Sequence, residues 1–116
     1  MIRNALASVA VKNLEQAADW YERVLGTTGH RPMAEVVEWQ FDGGGGLQVY
    51  ELPERAGSGS FTAVVADVDT VAARLDELGI RHPPTAHNDR VDTLMITDPD
   101  GNHLAFAAAH DSSLAS

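Results

Sequence analysis

Two stretches of the chain repeat one order of apolar and polar positions. The repeat appears when ASVAVKNLEQAADWYERVLG in the first half is compared with TAVVADVDTVAARLDELG in the second. Each has a short apolar run, a polar break, an amphipathic stretch and a closing glycine. The apolar run indicates a strand, and apolar residues spaced by three and four indicate a helix. A repeat offset by half the chain predicts two copies of one supersecondary unit.

Both predicted helices have a start signal and a stop signal. In the first, Asn13 is the predicted N-cap and Gly26 suits a left-handed end. Its apolar stripe consists of Leu14, Ala17, Ala18, Tyr21, Val24 and Leu25. In the second, Asp67 or Asp69 is the predicted cap and Gly79 ends the helix. Its apolar stripe consists of Val68, Val71, Ala72, Leu75 and Leu78.

A hairpin is predicted after each helix. The first joins EVVEWQF to LQVYEL through DGGGG, and the second joins VDTLMIT to HLAFAA through DPDGN. We interpret residues 43–46 as a flexible turn, because no Lys-Ser/Thr pair and no helix follows them as a phosphate loop requires. Asp98 to Asn102 are interpreted as structural turn residues whose side chains bond their own backbone. The polar segment PERAGSGS predicts a flexible linker, with the boundary near Gly57.

The predicted order is therefore β-α-β-β-β, written twice, in an α+β fold. We expect a single domain over residues 1–116, with one module at about 3–53, a linker at about 53–59 and a second module at about 60–110.

Composition and charge narrow the class of protein. With 116 residues, 44% of them hydrophobic, the chain can bury one core. Its 17 acidic residues against 8 basic ones give a formal net charge of −9, which repels a phosphate backbone and argues against a nucleic-acid partner. The chain has no cysteine, so thiolate chemistry is excluded and a reducing compartment is suited. The apolar stretch from Ala5 to Val11 is too short to span a membrane, and we expect a cytoplasmic protein without membrane association.

Several motifs resemble the vicinal-oxygen-chelate superfamily, which includes glyoxalase I, extradiol dioxygenases and bleomycin-resistance proteins. They are V-x-N-L followed by A-x-W-Y-x-x-V-L-G, then V-A-D-V-D with L-x-x-L-G, and D-P-D-G-N near the end. The resemblance covers nearly the whole chain. It implies two βαβββ modules whose curved sheets form an open cup, commonly completed in a homodimer.

The resemblance also implies where a divalent metal would be held. Family members that use one take His, Glu or Gln from the first and last strands of each module. Counting from the motifs, these positions fall on Leu6, Gln48, Ser60 and Ala105. Leu6 and Ala105 carry no donor atom and Ser60 is a weak neutral one, so we expect no metal and no other cofactor. His103 offers an imidazole nearby, but with Gln48 it would leave a metal two protein ligands short.

Without a metal, the cup is expected to hold a small organic molecule. Strand alternation sends Tyr50 to the side of Gln48 and Thr62 to the side of Ser60. Trp39 is interpreted either as a surface on which the ligand stacks or as a packing residue of the hairpin. The predicted ligand-binding residues are Leu6, Ser8, Trp39, Gln48, Tyr50, Ser60, Thr62, His103 and Ala105.

Two classes of function remain open on these grounds. The first is a metal-free binding protein, similar to the bleomycin-resistance branch, that sequesters a drug-like or metabolite ligand; the acidic surplus favours a cationic one. The second is an enzyme, either a metal-dependent lyase or dioxygenase or a metal-independent one using Gln48, Tyr50 and His103. A regulatory component with a vestigial cup is a third possibility. No catalytic residue is assigned.

The remaining expectations concern assembly and the other histidines. Open sheet edges predict a twofold homodimer, side by side or domain-swapped. His87 with Asp89 is a candidate general base in an irregular segment that carries no nucleophile beside it.

The tail from Asp111 is predicted to fray. The histidines expected to be exposed are His30, in a loop before Pro32, and His82, His87 and His110.

Overall fold

The computed structural model describes residues 1–110, which form two βαβββ modules. The first module consists of β1 (Leu6–Val11), α1 (Leu14–Leu25), β2 (His30–Met33), β3 (Val36–Gln40) and β4 (Gly46–Glu51). The second consists of β5 (Ser60–Val64), α2 (Val68–Glu77), β6 (Ala86–His87), β7 (Val91–Thr97) and β8 (His103–Ala109). The predicted fraying of the tail from Asp111 lies outside the described residues.

Each module contributes one four-stranded mixed sheet. The strand orders are β1-β4-β3-β2 and β5-β8-β7-β6. In both sheets the first strand of the module pairs in parallel with the last, and the other neighbours are antiparallel. The predicted α+β class and the repeated module are therefore confirmed.

The helix ends follow from local hydrogen bonding, as predicted. The Asn13 side chain accepts a hydrogen bond from the backbone N–H of Gln16 at 3.0 Å, and Gly26 adopts a left-handed conformation with φ of 76°. At the start of α2 it is Asp67 that caps, accepting from the N–H of Asp69 at 2.9 Å. Gly79 follows α2 with φ of 72°.

Two short strands lie where the sequence predicted irregular segments. His30 was expected in a loop and His87 outside regular structure, but they belong to β2 and β6. Both expectations were wrong because strands of four and two residues form by pairing with the longer neighbour, which the local sequence does not encode. Pro32 is tolerated in β2 because that strand is a sheet edge.

Both helices cover the same side of the two sheets. One contiguous core contains buried residues of both modules, including Tyr21, Trp39 and Leu104. At the C-terminal end of α1, the guanidinium of Arg74 on α2 donates two hydrogen bonds to the backbone carbonyl of Arg23, at 2.6 and 3.0 Å. The opposite side of the sheets is not covered by a helix in residues 1–110, and we refer to it as the open face.

The turn between β7 and β8 holds the modules together. Asn102 is fully buried and donates from Nδ2 to the carbonyl of Ala10 on β1 at 2.8 Å. Its Oδ1 accepts from the N–H of Gly59 at 2.8 Å. The buried Asp98 accepts from the hydroxyl of Tyr21 at 2.8 Å, and burial together with this carboxylate raises the pKa of Tyr21. The turn residues bond their own backbone as predicted, but they also join β1, α1 and the linker.

The segment predicted as a flexible linker has regular local structure. It begins with a 3-10 helix at Pro53–Arg55, whose last carbonyl accepts from the Ser58 hydroxyl at 2.9 Å. Gly57 has φ of 92°, and a Cβ at this position would collide with the carbonyl oxygen of Asp100. Glycine is therefore required at the predicted boundary between modules.

Neither α1 nor α2 could cross a bilayer, and no other helix in residues 1–110 has the length and apolar character to do so.

Candidate functional site

The strand register places most predicted ligand-binding residues on the open face. Ser8 is paired with Gln48 across β1 and β4, and Thr62 is paired with Ala105 across β5 and β8. The pair Ser8 and Gln48 in the first module therefore corresponds to the pair Thr62 and Ala105 in the second. The predicted residues that share this face are Leu6, Ser8, Gln48, Tyr50, Ser60, Thr62, His103 and Ala105.

Trp39 does not belong to this group. Its side chain is only 2% exposed and lies on the helix-covered face, with its ring 6.0 Å from that of Tyr21. The indole Nε1 donates to the carbonyl of Thr27 at 2.9 Å. The ligand-stacking interpretation was therefore wrong, and the packing alternative is correct. Alternation with the polar Glu38 and Gln40 was a signal in the sequence for this orientation.

Four polar side chains form a row across the first module on the open face. The Ser8 hydroxyl donates to Gln48 Oε1 at 3.1 Å. Gln48 Nε2 donates to Glu38 Oε2 at 3.0 Å, and Glu38 Oε1 lies 4.0 Å from His30 Nε2. We call Ser8, Gln48, Glu38 and His30 the polar row. It crosses the sheet in the order β1, β4, β3, β2.

Glu38 and His30 were missed by the sequence reasoning. Counting outwards from the DGGGG turn places Gln40 opposite Gln48, two residues from the observed partner Glu38, although strand alternation does assign Glu38 to the same face. No such count reaches His30, since the pairing of β2 with β3 is interrupted by an irregularity between His30 and Met33.

The positions implied for a metal carry a set of side chains that does not fit one. Leu6 and Ala105 present alkyl groups, and the exposed hydroxyl of Ser60 is neutral. Both polar ends of the Gln48 amide are already engaged in the polar row. Across residues 1–110, no three His, Cys, Asp or Glu side chains are grouped so as to hold a metal ion.

The paired open-face positions of the second module carry no Asp, Glu, Lys or Arg. Ser60, His103 and Thr97 are neighbours at one level, and Thr62, Ala105 and Met95 at the next. Met95 is 51% exposed. Hydroxyl groups therefore alternate here with apolar side chains.

A large cleft opens on the other side of the sheets. It has a volume of about 1070 Å³ and lies between α1, α2, the edge strand β5 and the turn before β4. Among the predicted ligand-binding residues, Thr62 alone lines it. Val71 and Ala72, predicted for the buried stripe of α2, are only half-buried, and Val71 lines this cleft. Apolar residues that line it include Val24, Leu25, Phe41, Phe61, Val71 and Phe106.

A separate group of histidines lies at the far edge of the second sheet. His87 Nδ1 is 2.9 Å from Asp92 Oδ1, so the predicted partner Asp89 was wrong. The Thr85 hydroxyl lies 3.0 Å from His87 Nε2, but it is also within 3.3 Å of an oxygen of Asp69.

His110 approaches the same Asp92 oxygen with Nε2 at 2.8 Å. Its hydrogen bond with Asp92 raises the pKa of His110 and lowers the pKa of Asp92. None of the residues of this group lines the cleft.

His82 is less exposed than predicted. Its ring is only 14% exposed, with Nε2 at 2.8 Å from Asp76 Oδ1 and Nδ1 at 2.8 Å from the carbonyl of Pro83. Both ring nitrogens face acceptors, which favours the doubly protonated imidazolium. The carbonyl of Pro83, followed by Asp76, raises the pKa of His82.

The chain was compared with known families, sequences and structures. The family model of the Glyoxalase/Bleomycin resistance protein/Dioxygenase superfamily matches residues 4–106. A comparison with curated protein sequences gives no significant match.

Solved structures reproduce the fold over nearly the full length. A glyoxalase/bleomycin resistance protein from Catenulispora acidiphila DSM 44928 is 31% identical with a TM-score of 0.82, covering 92% of this chain and 98% of its own. TnmS3, an antibiotic binding protein from Streptomyces sp. CB03234, is 24% identical with a TM-score of 0.78, and the match covers 94% of this chain and 97% of TnmS3. The oxidase ChaP-H2 is 18% identical with a TM-score of 0.79, and the match covers 97% of this chain and 98% of ChaP-H2. The chain belongs to the Glyoxalase/Bleomycin resistance protein/Dioxygenase superfamily.

Proposed function

We propose that this protein binds a small organic molecule on its open face without the help of a metal ion. The observation that carries the proposal is the chemistry of the four positions implied for metal ligands. Leu6, Gln48, Ser60 and Ala105 supply two alkyl groups, an amide and a hydroxyl. This set has no carboxylate and no imidazole, the groups that divalent metals take from proteins at such sites.

The hydrogen bonds of Gln48 support the same conclusion. Its amide oxygen accepts from Ser8 and its amide nitrogen donates to Glu38. A metal bound to the amide oxygen would compete with the hydroxyl of Ser8. The amide is instead held in one orientation, which suits a fixed polar contact to an organic ligand.

The surface chemistry of the open face supports an organic ligand. Leu6 and Met95 are 41% and 51% exposed on it, although large apolar side chains are more often buried. The hydroxyl groups of Ser8 and Ser60 lie on the same face. Apolar surface with a few fixed polar groups is typical of small-molecule sites.

The structural neighbours support the proposal in a limited way. TnmS3 is named an antibiotic binding protein, so another protein with this fold serves to bind an antibiotic. ChaP-H2 is named an oxidase, so the fold also serves catalysis elsewhere. A test of the proposal therefore needs to measure metal content and ligand binding together.

The first experiment compares metal content with ligand binding. Protein purified without chelators is analysed for metals by mass spectrometry and screened by thermal shift against aromatic, glycosidic and cationic compounds. We expect far less than one metal per chain, and a melting temperature that rises with the concentration of a bound compound. Stoichiometric zinc, iron, manganese or nickel that is needed for binding or turnover would instead support the metal-dependent lyase or dioxygenase.

A matched pair of variants tests the position of the ligand. Ala105→Phe adds bulk to the open face, whereas Ala73→Phe adds the same bulk to the cleft on the helix side. For a compound that raises the melting temperature, we expect Ala105→Phe to reduce the shift and Ala73→Phe to preserve it. The reverse pattern would assign binding to the cleft and overturn the open-face proposal.

A further inference from the structure

The polar row contains a charge that stands alone on the open face. Among the register-paired strand residues that share this face in residues 1–110, Glu38 is the one Asp, Glu, Lys or Arg. The other polar residues there are Ser, Thr, Gln, Tyr and His. The second module contributes no Asp, Glu, Lys or Arg to its paired positions on this face, so Glu38 is the one carboxylate among the paired open-face residues in residues 1–110.

The two carboxylate oxygens of Glu38 have different surroundings. Oε2 accepts the hydrogen bond from Gln48 Nε2 at 3.0 Å, which fixes the plane of the carboxylate. Oε1 has the imidazole of His30 at 4.0 Å, which is beyond hydrogen-bond distance. Within the described chain no lysine or arginine forms an ion pair with Glu38. One oxygen of an oriented carboxylate is therefore available to a donor from outside.

The surroundings of Glu38 increase the attraction between its free carboxylate oxygen and a cationic donor. Its side chain is 17% exposed, so it is partly shielded from water and yet reachable from the open face. Its neighbours on this face include Val36, which is buried, and Met33, which is 61% exposed. A partly desolvated carboxylate beside apolar side chains gains more from a cationic donor than one in bulk water.

From these contacts we infer that the open face selects ligands in which an apolar body carries a protonated amine, and that Glu38 Oε1 receives that amine. The inference rests on the proposed function and names its ligand class. The net charge of −9 would further attract such a cation over a distance.

Two fluorescent probes that differ by one amine test the inference. Dansyl cadaverine has an aromatic body and a terminal primary amine, and N-pentyl dansylamide has the same body without the amine. We expect the wild-type protein to bind dansyl cadaverine about tenfold more tightly, the order expected for one charge-assisted contact. Raising sodium chloride from 50 to 500 mM should weaken the binding of dansyl cadaverine and leave the binding of the neutral probe unchanged.

Two glutamate variants localise the effect. Glu38→Gln should bind both probes equally and at the affinity of the neutral one, whereas Glu35→Gln, in the exposed turn between β2 and β3, should retain the preference. Should Glu38→Gln fail to fold, Glu38→Asp decides the question: it keeps the charge but moves it back by one methylene group, so it should weaken the binding of dansyl cadaverine and leave that of the neutral probe unchanged.

The experiments distinguish failure of the amine selectivity from failure of the proposed function. Equal affinities of the wild-type protein for both probes, or no binding of either, overturn the amine selectivity. The thermal-shift screen then decides separately whether the open face binds any organic compound.

Discussion

Asn102 has no solvent exposure, and its side chain is fully hydrogen-bonded. Nδ2 donates to the carbonyl of Ala10 and to Asp98 Oδ2, and Oδ1 accepts from the N–H of Gly59. These partners belong to β1, to the β7–β8 turn and to the linker. A buried amide with complete hydrogen bonding holds its partners in one arrangement, since any shift would leave a polar group unpaired.

We predict that Asn102→Ala destabilises the protein by about 3 kcal/mol, because it leaves buried polar partners without a hydrogen bond. Urea unfolding followed by tryptophan fluorescence measures the change. Asn4→Ala is the control: Asn4 is exposed and bonds only the next residue, so its effect should be near zero. A loss below about 1 kcal/mol for Asn102→Ala would contradict the role of this residue as a tie between modules.

Neighbouring residues of β3 have opposite roles because strand side chains alternate. Trp39 packs in the core, and Glu38 beside it belongs to the polar row. This alternation is visible in the sequence, but the large apolar area of the Trp39 indole also suggested a surface for ligand stacking. Its burial follows from the register with Leu47, which is itself fully buried.

At the scale of single elements, helix ends depend on a few local residues. Gly26 ends α1 with φ of 76°, and a Cβ there would meet the guanidinium of Arg74 at an ordinary contact distance of 3.5 Å. We therefore predict that Gly26→Ala costs about 1 kcal/mol from backbone strain alone. Gly45→Ala, with open space around its Cβ and no left-handed φ, is the control and should be nearly neutral. Thermal unfolding of both variants measures the difference, and equal losses would argue against the strain.

The C-terminal end of α2 is expected to be pH-sensitive. His82 joins Asp76 of α2 to the carbonyl of Pro83, and both contacts raise the pKa of His82 in the folded state. A raised pKa means that the stabilisation is complete below the unfolded value of about 6.5 and is lost as pH rises through the folded value.

His82→Ala should therefore lower the denaturation midpoint more at pH 5.5 than at pH 8.5. Guanidinium unfolding at the two pH values provides the measurement. Arg81→Ala is the control, because an arginine remains protonated throughout and its effect should not change with pH. A His82→Ala effect that is the same at both pH values would refute the imidazolium contact.

At the scale of the whole molecule, edges and apolar groups remain exposed. β2 and β6 are outer strands of their sheets, and Met33, Val64 and Met95 are about half exposed or more. Exposed edges beside apolar side chains favour association. We predict a homodimer, so sedimentation equilibrium at micromolar concentration should give twice the mass of the chain. A single species with the mass of one chain would contradict this.

Features that depend on near neighbours could be predicted from the amino-acid sequence. The caps at Asn13 and Asp67, the glycine exit of α1 and the hairpin turns follow from interactions within a few residues. The two modules were indicated by the repeated order of apolar and polar positions. The family motifs extended this to the α+β class over almost the whole chain. Strand alternation also assigned the open-face positions in both modules.

Contacts between separate elements became known only from the folded structure. The bonds from the β7–β8 turn to β1 and α1 link residues far apart in the chain, and the pairing of His30 with Glu38 and the burial of Trp39 depend on the register of the first sheet. The cleft beside α2 is likewise lined by residues of both modules. Local sequence cannot encode such contacts, because their free energy depends on the register and packing of elements that come together only in the complete fold.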